Sequence, residues 1–195
     1  MATPTRIDPA KTISAHAQDA LPRVSIDTTG PMIIRPEIPA DAPAISALTT
    51  AAFLDAEHSD GNEAALVDRL RREGALAVSL VAEQGDALAG HVAFSPVLIG
   101  GQPGWYGLGP VSVRADRRRQ GIARALIEAG LGVLRERGGG GCVVLGDPAY
   151  YGRFGFVHDP AVTLAGVPPA FFMRLGFRGA QPIGAVAYHP AFGGP

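Results

Sequence analysis

The stretch from Leu108 to Leu126 constrains the fold of this chain most, because a strand pattern changes there into a helix pattern across a short turn. An apolar run at Val111-Ser112-Val113 gives way to arginines, and Gly121 and Ala123 then open a segment with helical periodicity. A helix that starts after such a turn exposes unpaired main-chain N–H groups at the positive end of its dipole. Gly121 has no Cβ to keep a ligand away from these groups. The stretch therefore predicts a unit that binds an anion such as a pyrophosphate, and an ordinary strand–turn–helix with a solvated basic edge is the alternative.

Composition limits the kind of partner that such an anion site serves. The chain has 195 residues, enough for about one domain, and 47 % of them are hydrophobic, which allows a sizeable core. The formal net charge of −1 gives no global attraction to nucleic acid. Positive charge is instead local, in the arginine cluster at positions 114, 117, 118, 119 and 124. A small anionic ligand therefore fits this chain better than a polymer.

Two further observations exclude whole classes of protein. The single cysteine, Cys142, leaves no internal disulfide and no cysteine-rich zinc site, and its setting in CVVLG indicates a buried strand. No apolar run reaches the ~18 residues that cross a bilayer, and the N-terminus lacks the pattern of a secretory signal. We therefore expect a cytoplasmic protein without a metal or a membrane partner. Residues 1–30 have no sustained period and are expected to form a flexible extension before a single domain at 31–195.

Hydrophobic periodicity predicts a mixed α/β chain, with helices on both faces of one sheet. Asp60 and Glu63 resemble a capping box before a helix, and Gln84-Gly85-Asp86 is a hairpin signal. The predicted order is a strand at 32–35, helices at 41–53 and 63–72, strands at 75–83, 87–97 and 106–113, a helix at 120–137, a strand at 142–145, a tight segment at 148–153, and strands at 171–175 and 185–188.

The turn and the order of elements together resemble the GNAT family of N-acetyltransferases. The family pattern Arg/Gln-x-x-Gly-x-Gly/Ala matches Arg118-Arg119-Gln120-Gly121-Ile122-Ala123, and the order of elements matches over about residues 32–190. The resemblance implies an α/β fold of the GNAT type, with a mixed, mostly antiparallel central sheet, helices on both faces and strands that splay apart at a cofactor cleft. It also implies that the turn binds the pyrophosphate of acetyl-coenzyme A (acetyl-CoA), which serves as co-substrate.

The resemblance also gives a role to the strand before the turn. Pro110 has no N–H and is expected to interrupt the ladder, and the family strand splays from its neighbour at this point to take the pantetheine arm. Arg124 has either a phosphate of the cofactor or Glu128, at i+4, as its expected partner. The residues expected to bind the cofactor, chiefly through the main chain, are Val111, Ser112, Val113, Arg118, Arg119, Gln120, Gly121, Ile122, Ala123 and Arg124.

A second family motif implies a proton donor. The family places a tyrosine four residues before a Gly-Phe pair, on a short helix after the fifth strand, and here Tyr151 stands four residues before Gly155-Phe156. A phenol with a pKa of ~10 is protonated at neutral pH and can protonate the departing thiolate of coenzyme A. Tyr150 is the second candidate for this role.

The implied function is transfer of an acetyl group to a primary amine by direct attack in a ternary complex. A non-catalytic acyl-CoA sensor or regulatory domain on the same fold is one rival, and a nucleotide-phosphate binder of another class, whose fingerprints the chain lacks, is a second. The segments LGPVSV, VLGDPAYYGRFGF and AVAYHPAF resemble the YhbS-like subgroup of predicted acetyltransferases, whose substrates are poorly defined. The acceptor, a small-molecule or peptide amine, therefore stays open, as does a homodimer. The general base also stays open, with Glu83, His91, His58, Glu63 and Asp147 as candidates.

Overall fold

The computed structural model of the protein describes residues 31–54, 59, 61–85, 87–179 and 181–193. The extension predicted at residues 1–30 lies outside these ranges. The helices and strands are β1 (Met32–Pro36), α1 (Ala42–Phe53), α2 (Glu63–Arg72), β2 (Val78–Gln84), β3 (Ala87–Ile99), β4 (Gln102–Val113), α3 (Ile122–Glu136), β5 (Gly141–Leu145), α4 (Pro148–Tyr151), β6 (Val162–Thr163), β7 (Phe172–Gly176) and β8 (Gly184–Ala187).

The strands form one mixed sheet in the order β1-β2-β3-β4-β5-β7. Neighbouring strands in this order pair antiparallel, except that β4 and β5 run parallel. β8 pairs with the end of β3 and, in parallel, with β6. The predicted fold class, a mixed and mostly antiparallel sheet with flanking helices, is confirmed.

Side chains alternate along each strand, so the sheet presents apolar residues on both faces, and helices cover both of them. On one face, Phe94 of β3 packs in the main core cluster with Leu126 of α3. On the opposite face, Ile45 of α1 and Val67 of α2 pack against Val81 of β2. α3 therefore lies on one face, and the N-terminal helices lie on the other.

The helices begin close to where the sequence predicts them. α2 spans the predicted residues 63–72, and α1 begins at Ala42 after a 3₁₀ turn at Pro39–Asp41. The predicted capping box is wrong, because Asn62 is the N-cap residue of α2 and makes no side-chain capping bond. Asp60 itself lies outside the described residues.

The strands differ more from the prediction, because β3 and β4 form one long hairpin. The sequence places residues 98–105 between two strands, whereas the chain turns tightly at Gly100-Gly101, whose φ values of 55° and 79° favour glycine. Pro103 and Gly104 lower the strand propensity at the start of β4 and so conceal this part of the hairpin. The short strand β6 also escapes the prediction, because two residues carry no periodic signal.

Two glycines seat α3 closely against β3. A Cβ on Gly130 of α3 would lie 2.2 Å from Cε2 of Phe94, and a Cβ on Gly90 of β3 would lie 2.8 Å from Cγ2 of Ile122. Ile122 is the first residue of α3. The same contacts that pack the core therefore fix the position of the start of α3.

We expect Gly130→Ala to lower the free energy of unfolding by about 1–3 kcal/mol, because the added methyl group overlaps the Phe94 ring in a packed core. Gly132→Ala is the matched control on the same helix, because nothing lies within 4 Å of a Cβ at Gly132. Replacing that helical glycine should raise stability by about 0.5–1 kcal/mol. Urea unfolding followed by circular dichroism measures both variants, and a Gly130→Ala protein as stable as Gly132→Ala would contradict the close packing.

Candidate active site

β4 and β5 pair over a short stretch and then separate. Their parallel register joins residues 105–107 to residues 141–143, and no described residue pairs with β4 on that side beyond Gly107. β4 nevertheless continues along β3 to Val113, while β5 runs on to Leu145. We call the opening between residues 108–113 of β4 and residues 144–145 of β5 the fork.

A bulge in β4 accompanies the fork. Val92 of β3 pairs with Val111, and Phe94 pairs with Leu108. One residue of β3 therefore stands opposite two residues of β4, Gly109-Pro110. The interruption of the ladder that the sequence predicts at Pro110 is confirmed.

The hydrogen-bond phase of β4 beyond the bulge shows which main-chain groups are available. Arg114 N donates to Ala89 O at 3.0 Å, and pairs in an antiparallel ladder alternate between bonded and non-bonded positions. Because Arg114 is bonded to β3, the alternation makes Ser112, two residues earlier, bonded to β3 as well. The main-chain N–H and C=O groups of Val111 and Val113 therefore point away from β3 and into the fork. A ligand in the fork can therefore bond to β4 like an added strand.

Ser112 is turned away from the fork, in contrast to Val111 and Val113. Its side chain is fully buried, and its Oγ donates to Thr49 Oγ1 of α1 at 3.1 Å. Its main chain pairs with His91 of β3. Ser112 therefore ties α1 to β4, and the expectation that it contacts the cofactor finds no support in this geometry.

The turn before α3 leaves a run of main-chain donors free. Gly121, with a φ of 82°, is the N-cap residue of α3, and the first helical bond runs from Ala125 N to Gly121 O at 2.9 Å. Arg119 also has a positive φ, 63°, and left-handed residues in such a turn gather successive N–H groups into a concave anion site. No described residue accepts a hydrogen bond from the N–H groups of residues 119–124.

Two arginine side chains next to this turn, those of Arg118 and Arg124, are engaged within the protein. Arg118 Nη2 donates to Ala52 O, near the end of α1, at 3.1 Å. Arg124 pairs with Glu128 at 2.8 Å, which is the partner that the sequence offers as an alternative to a phosphate. The free main-chain donors of the turn do not depend on side-chain identity, so they are the donors that any sequence with this backbone offers to an anion.

α4 places Tyr151 next to the open end of the fork. Asp147 follows β5 and caps α4 by accepting a hydrogen bond from Ala149 N at 2.9 Å. A Cβ on Gly146 would lie 2.3 Å from Cε2 of Tyr151, so a glycine there lets the ring pack against the end of β5. The ring also packs edge-to-face on Phe156, with centroids 6.1 Å apart.

The surroundings of Tyr151 keep its phenol neutral. Burial raises the pKa of Tyr151 to about 12, and its hydroxyl has no hydrogen-bond partner among the described residues. Tyr150 is half-buried, burial also raises its pKa, and the Arg153 guanidinium lies 4.7 Å from the centre of its ring. Tyr151 has the chemistry of a proton donor at neutral pH, and Tyr150 is more open to solvent.

The C-terminal segment brings another tyrosine, Tyr188, to the base of the fork. A Cβ on Gly107, the last residue of β4 that pairs with β5, would lie 2.5 Å from Cε1 of Tyr188. The Phe192 ring packs against this ring at a tilt of 50°, with centroids 4.7 Å apart, and His189 Nδ1 lies 3.4 Å from a carboxylate oxygen of Glu73. In the sequence, the segment AVAYHPAF marks the resemblance to the subgroup, but it does not predict that Tyr188 packs against Gly107.

The structure selects no general base among the five candidates. Glu83 is paired with an arginine of β1 at 2.8 Å, Asp147 caps α4, His91 is fully buried, Glu63 begins α2, and His58 lies outside the described residues.

His91 belongs to a buried polar chain that the sequence does not reveal. Its Nε2 lies 2.9 Å from Ser79 Oγ, and Ser79 Oγ donates to Glu37 Oε2 at 2.5 Å. Arg71 of α2 in turn donates from Nε to Glu37 Oε1 at 2.7 Å. Because the Ser79 proton goes to Glu37, Nε2 of His91 must carry the proton in its own bond to Ser79. Nδ1 of His91 is then an acceptor, buried without a partner among the residues that the structure describes.

Burial and hydrogen bonding together set the charges of His91 and Glu37. Burial lowers the pKa of His91 to about 4, because a charged imidazolium would lose its hydration. Burial alone would raise the pKa of Glu37, but hydrogen bonds from Arg71 and Ser79 outweigh it and lower this pKa. A neutral histidine and a charged glutamate therefore share the buried site.

We expect His91 to lower the free energy of unfolding by about 3 kcal/mol as the pH falls from 6.5 to about 4. Its folded pKa lies below the unfolded value of 6.5, so the unfolded state takes up the proton first. The stabilisation that comes from keeping His91 neutral is therefore complete above pH 6.5 and is lost as the pH falls from 6.5 to about 4. Urea unfolding on both sides of the window should give a shallower pH dependence for His91→Gln than for the wild type. Equal slopes would assign the titration to other groups.

The fork, the free N–H groups of residues 119–124 and Tyr151 on α4 are the combination that the resemblance to the GNAT acetyltransferases implies. The family model described as "Acetyltransferase (GNAT) family" matches residues 43–156, and the chain belongs to this family.

Relatives with known sequences and structures agree with this assignment. An "Uncharacterized N-acetyltransferase YhbS" of Escherichia coli K12 is 43 % identical over 169 residues, which are 83 % of this chain and 98 % of the relative. The crystal structure of a GNAT family acetyltransferase from Brucella melitensis in complex with acetyl-CoA has a TM-score of 0.74 and 49 % identity, and the match covers 83 % of this chain and 97 % of that one. The crystal structure of YhbS from Escherichia coli in complex with CoA has a TM-score of 0.78 and 36 % identity, over 87 % of this chain and 96 % of that one. The resemblance to the GNAT family and its YhbS-like subgroup is confirmed.

The described residues include no helix that is long and apolar enough to span a membrane. Across the same ranges, no group of three or more His, Cys, Asp or Glu side chains is arranged to hold a metal ion.

Proposed function

We propose that the protein is an N-acetyltransferase that moves the acetyl group of acetyl-CoA to a primary amine by direct attack in a ternary complex. The observation that carries the proposal is the run of unpaired main-chain N–H groups at residues 119–124, at the start of α3. An anion-binding turn beside an open strand edge fits a ligand that combines a pyrophosphate with an amide-containing arm. The relatives that hold acetyl-CoA and CoA support the same ligand for this chain.

Two sets of main-chain groups would hold acetyl-CoA. The pyrophosphate would accept hydrogen bonds from the turn, and the pantetheine arm would pair with Val111 and Val113 in the fork. Arg118 is tethered to α1 and Arg124 to Glu128, so these side chains would contribute charge near the site more than direct bonds. The turn donors are those of Arg119, Gln120, Gly121, Ile122, Ala123 and Arg124.

The reaction needs positioning and proton transfer, because a thioester is already activated. The amine nitrogen attacks the thioester carbonyl, the C–N bond forms, the C–S bond breaks, and the electron pair passes to sulfur. Tyr151 donates its phenolic proton to the thiolate and is reprotonated from solvent, into which the amine proton passes. Main-chain N–H groups of β4 that face the fork would stabilise the carbonyl oxygen as it gains negative charge.

Thermal unfolding in the presence of acetyl-CoA, ATP and NAD tests the ligand, and thiol release with a panel of primary amines tests the reaction. We expect acetyl-CoA alone to raise the melting temperature, and we expect at least one amine to release CoA together with its acetylated product. Stabilisation by ATP or NAD without acetyl-CoA would overturn the proposal. Binding of acetyl-CoA without turnover of any amine would instead identify a non-catalytic acyl-CoA sensor.

A further inference from the structure

A cavity of about 190 Å³ lies where β7 adjoins the end of β5. We propose that it receives an apolar, branched or aromatic group of the amine that accepts the acetyl group. The inference rests on the proposed function and names its class of acceptor. The apolar walls of the cavity are formed by Pro160, Val162, Leu164, Pro169 and Phe172.

The cavity adjoins the fork through β7. Phe172 pairs with Leu145, and Gly146 N donates to Phe171 O at 2.9 Å, so the cavity wall is one strand away from the end of β5. Phe172 packs with Val143 in a cluster that contains no residue of α3. An acceptor held in the cavity would therefore approach the fork from the face of the sheet opposite to α3.

The cavity and the proposed proton donor, Tyr151, lie on opposite faces of the sheet. Tyr151 packs against the main core cluster, which contains the buried residues of α3, whereas Leu164 packs against the cluster of Phe172. The amine and the acid for the thiolate would thus approach the thioester from opposite faces of the sheet. Neither group needs to displace the other during the reaction.

The chemistry of the walls favours an apolar occupant over a charged one. Within the described part of the chain, His158 and Thr163 are the two polar residues of the lining, and no carboxylate, lysine or arginine belongs to it. His158 Nδ1 lies 3.3 Å from Phe172 O, and because a carbonyl oxygen only accepts, Nδ1 carries the proton in this bond. A charged group in the cavity would lose hydration without gaining an ionic partner, whereas an apolar group gains from burial.

The volume fits one group of a molecule better than a whole molecule. Pockets that enclose complete small ligands span about 300–1,000 Å³. At about 190 Å³, this cavity suits a phenyl or branched aliphatic group, with the amine left outside and toward the fork.

Hydrogen bonds and an ion pair hold the segment that forms the cavity. Asp159 pairs with Arg174 of β7, and Arg174 Nη1 also donates to Pro182 O at 3.0 Å. The Asp159 carboxylate also accepts from Ala161 N at 2.8 Å, while Val157 exchanges main-chain bonds with Arg174. Because the segment is already held in place, a ligand that enters the cavity has to order few side chains, and the entropy cost of binding is small.

Matched amines test the proposal. Benzylamine, phenethylamine and phenylpropylamine place the phenyl group at increasing distance from the nitrogen, and ethanolamine, propanolamine and butanolamine are their polar counterparts. With acetyl-CoA saturating, we expect kcat/KM for the best phenylalkylamine to exceed that of every amino alcohol by roughly tenfold to a hundredfold, from burial of the ring. Amino alcohols that are equal or better substrates would overturn the proposal while leaving the acetyl transfer intact.

A variant pair ties this preference to the cavity. Leu164→Asn places an amide in the wall, and we expect it to remove most of the preference for the phenyl group without changing the affinity for acetyl-CoA. Ile33→Asn, on exposed β1, is the matched control and should keep the preference. An unchanged preference in Leu164→Asn would overturn the cavity assignment.

Calorimetric binding of phenethylamine to the CoA-saturated protein separates the two proposals. We expect binding that Leu164→Asn weakens and Ile33→Asn does not. Absence of binding together with turnover of amino alcohols would overturn the cavity alone. Binding that depends on Leu164 without thiol release from acetyl-CoA would overturn the acetyl transfer, and with it the role of the cavity as an acceptor site.

Discussion

Gly121→Glu is expected to weaken the binding of acetyl-CoA by about a hundredfold or more. Gly121 is the N-cap residue of α3, in the run of N–H groups that have no acceptor among the described residues. A carboxylate at this position would accept those hydrogen bonds itself and repel the pyrophosphate. Two unit charges about 4 Å apart interact by about 4 kcal/mol at an effective dielectric constant of about 20, which exceeds the hundredfold effect.

The matched control is Gly121→Gln, which has nearly the same size as the glutamate variant and no charge. Both side chains must adopt the left-handed backbone at φ 82°, so both variants share its strain of about 1–2 kcal/mol. Isothermal calorimetry with acetyl-CoA should therefore find the larger loss of affinity in the glutamate variant. Equal affinities in the two variants would mean that the charge does not meet the ligand, and wild-type affinity in Gly121→Glu would remove the turn from the site.

The turn and the tyrosine helix could be predicted because their signals are local. Arg118 to Ala123 are six consecutive residues, and the spacing from Tyr151 to Gly155-Phe156 needs no knowledge of tertiary structure. Local patterns of this kind indicate both the element and the chemistry that it carries. The structure places both segments beside the fork, as the order of elements implies.

The parts of the site that the sequence does not reveal arise from pairing between distant segments. A one-residue change of phase at the bulge reverses which residues of β4 face the fork, and for this reason Ser112 could not be separated from Val111 in sequence. The cavity depends on how the chain around β6 packs on β7, and the buried chain of His91, Ser79 and Glu37 joins two strands to the segment after β1. No local pattern encodes these contacts.

Tyr151→Phe is expected to lower kcat for thiol release by about a hundredfold or more, with the affinity for acetyl-CoA unchanged. The phenol is a neutral donor because burial raises the pKa of Tyr151 to about 12, and its ring is held by Gly146 and Phe156 without help from the hydroxyl. Removing one oxygen atom therefore removes the proton donor and leaves the packing intact. Steady-state thiol release at saturating amine and calorimetric titration with acetyl-CoA measure the two quantities separately.

Tyr150→Phe distinguishes a proton donor from a tyrosine that only packs nearby. Tyr150 is half-buried beside Arg153, and its loss should change kcat little. With a pKa of about 12, Tyr151 keeps its proton through neutral and mildly alkaline pH, so kcat of the wild type should not decline there on its account. A larger loss in Tyr150→Phe would move the acid role to that residue. Unchanged turnover in both Tyr151→Phe and Tyr150→Phe across the pH range would mean that the thiolate leaves without protonation by either phenol, its charge being stabilised by solvent or by the main-chain donors of the fork.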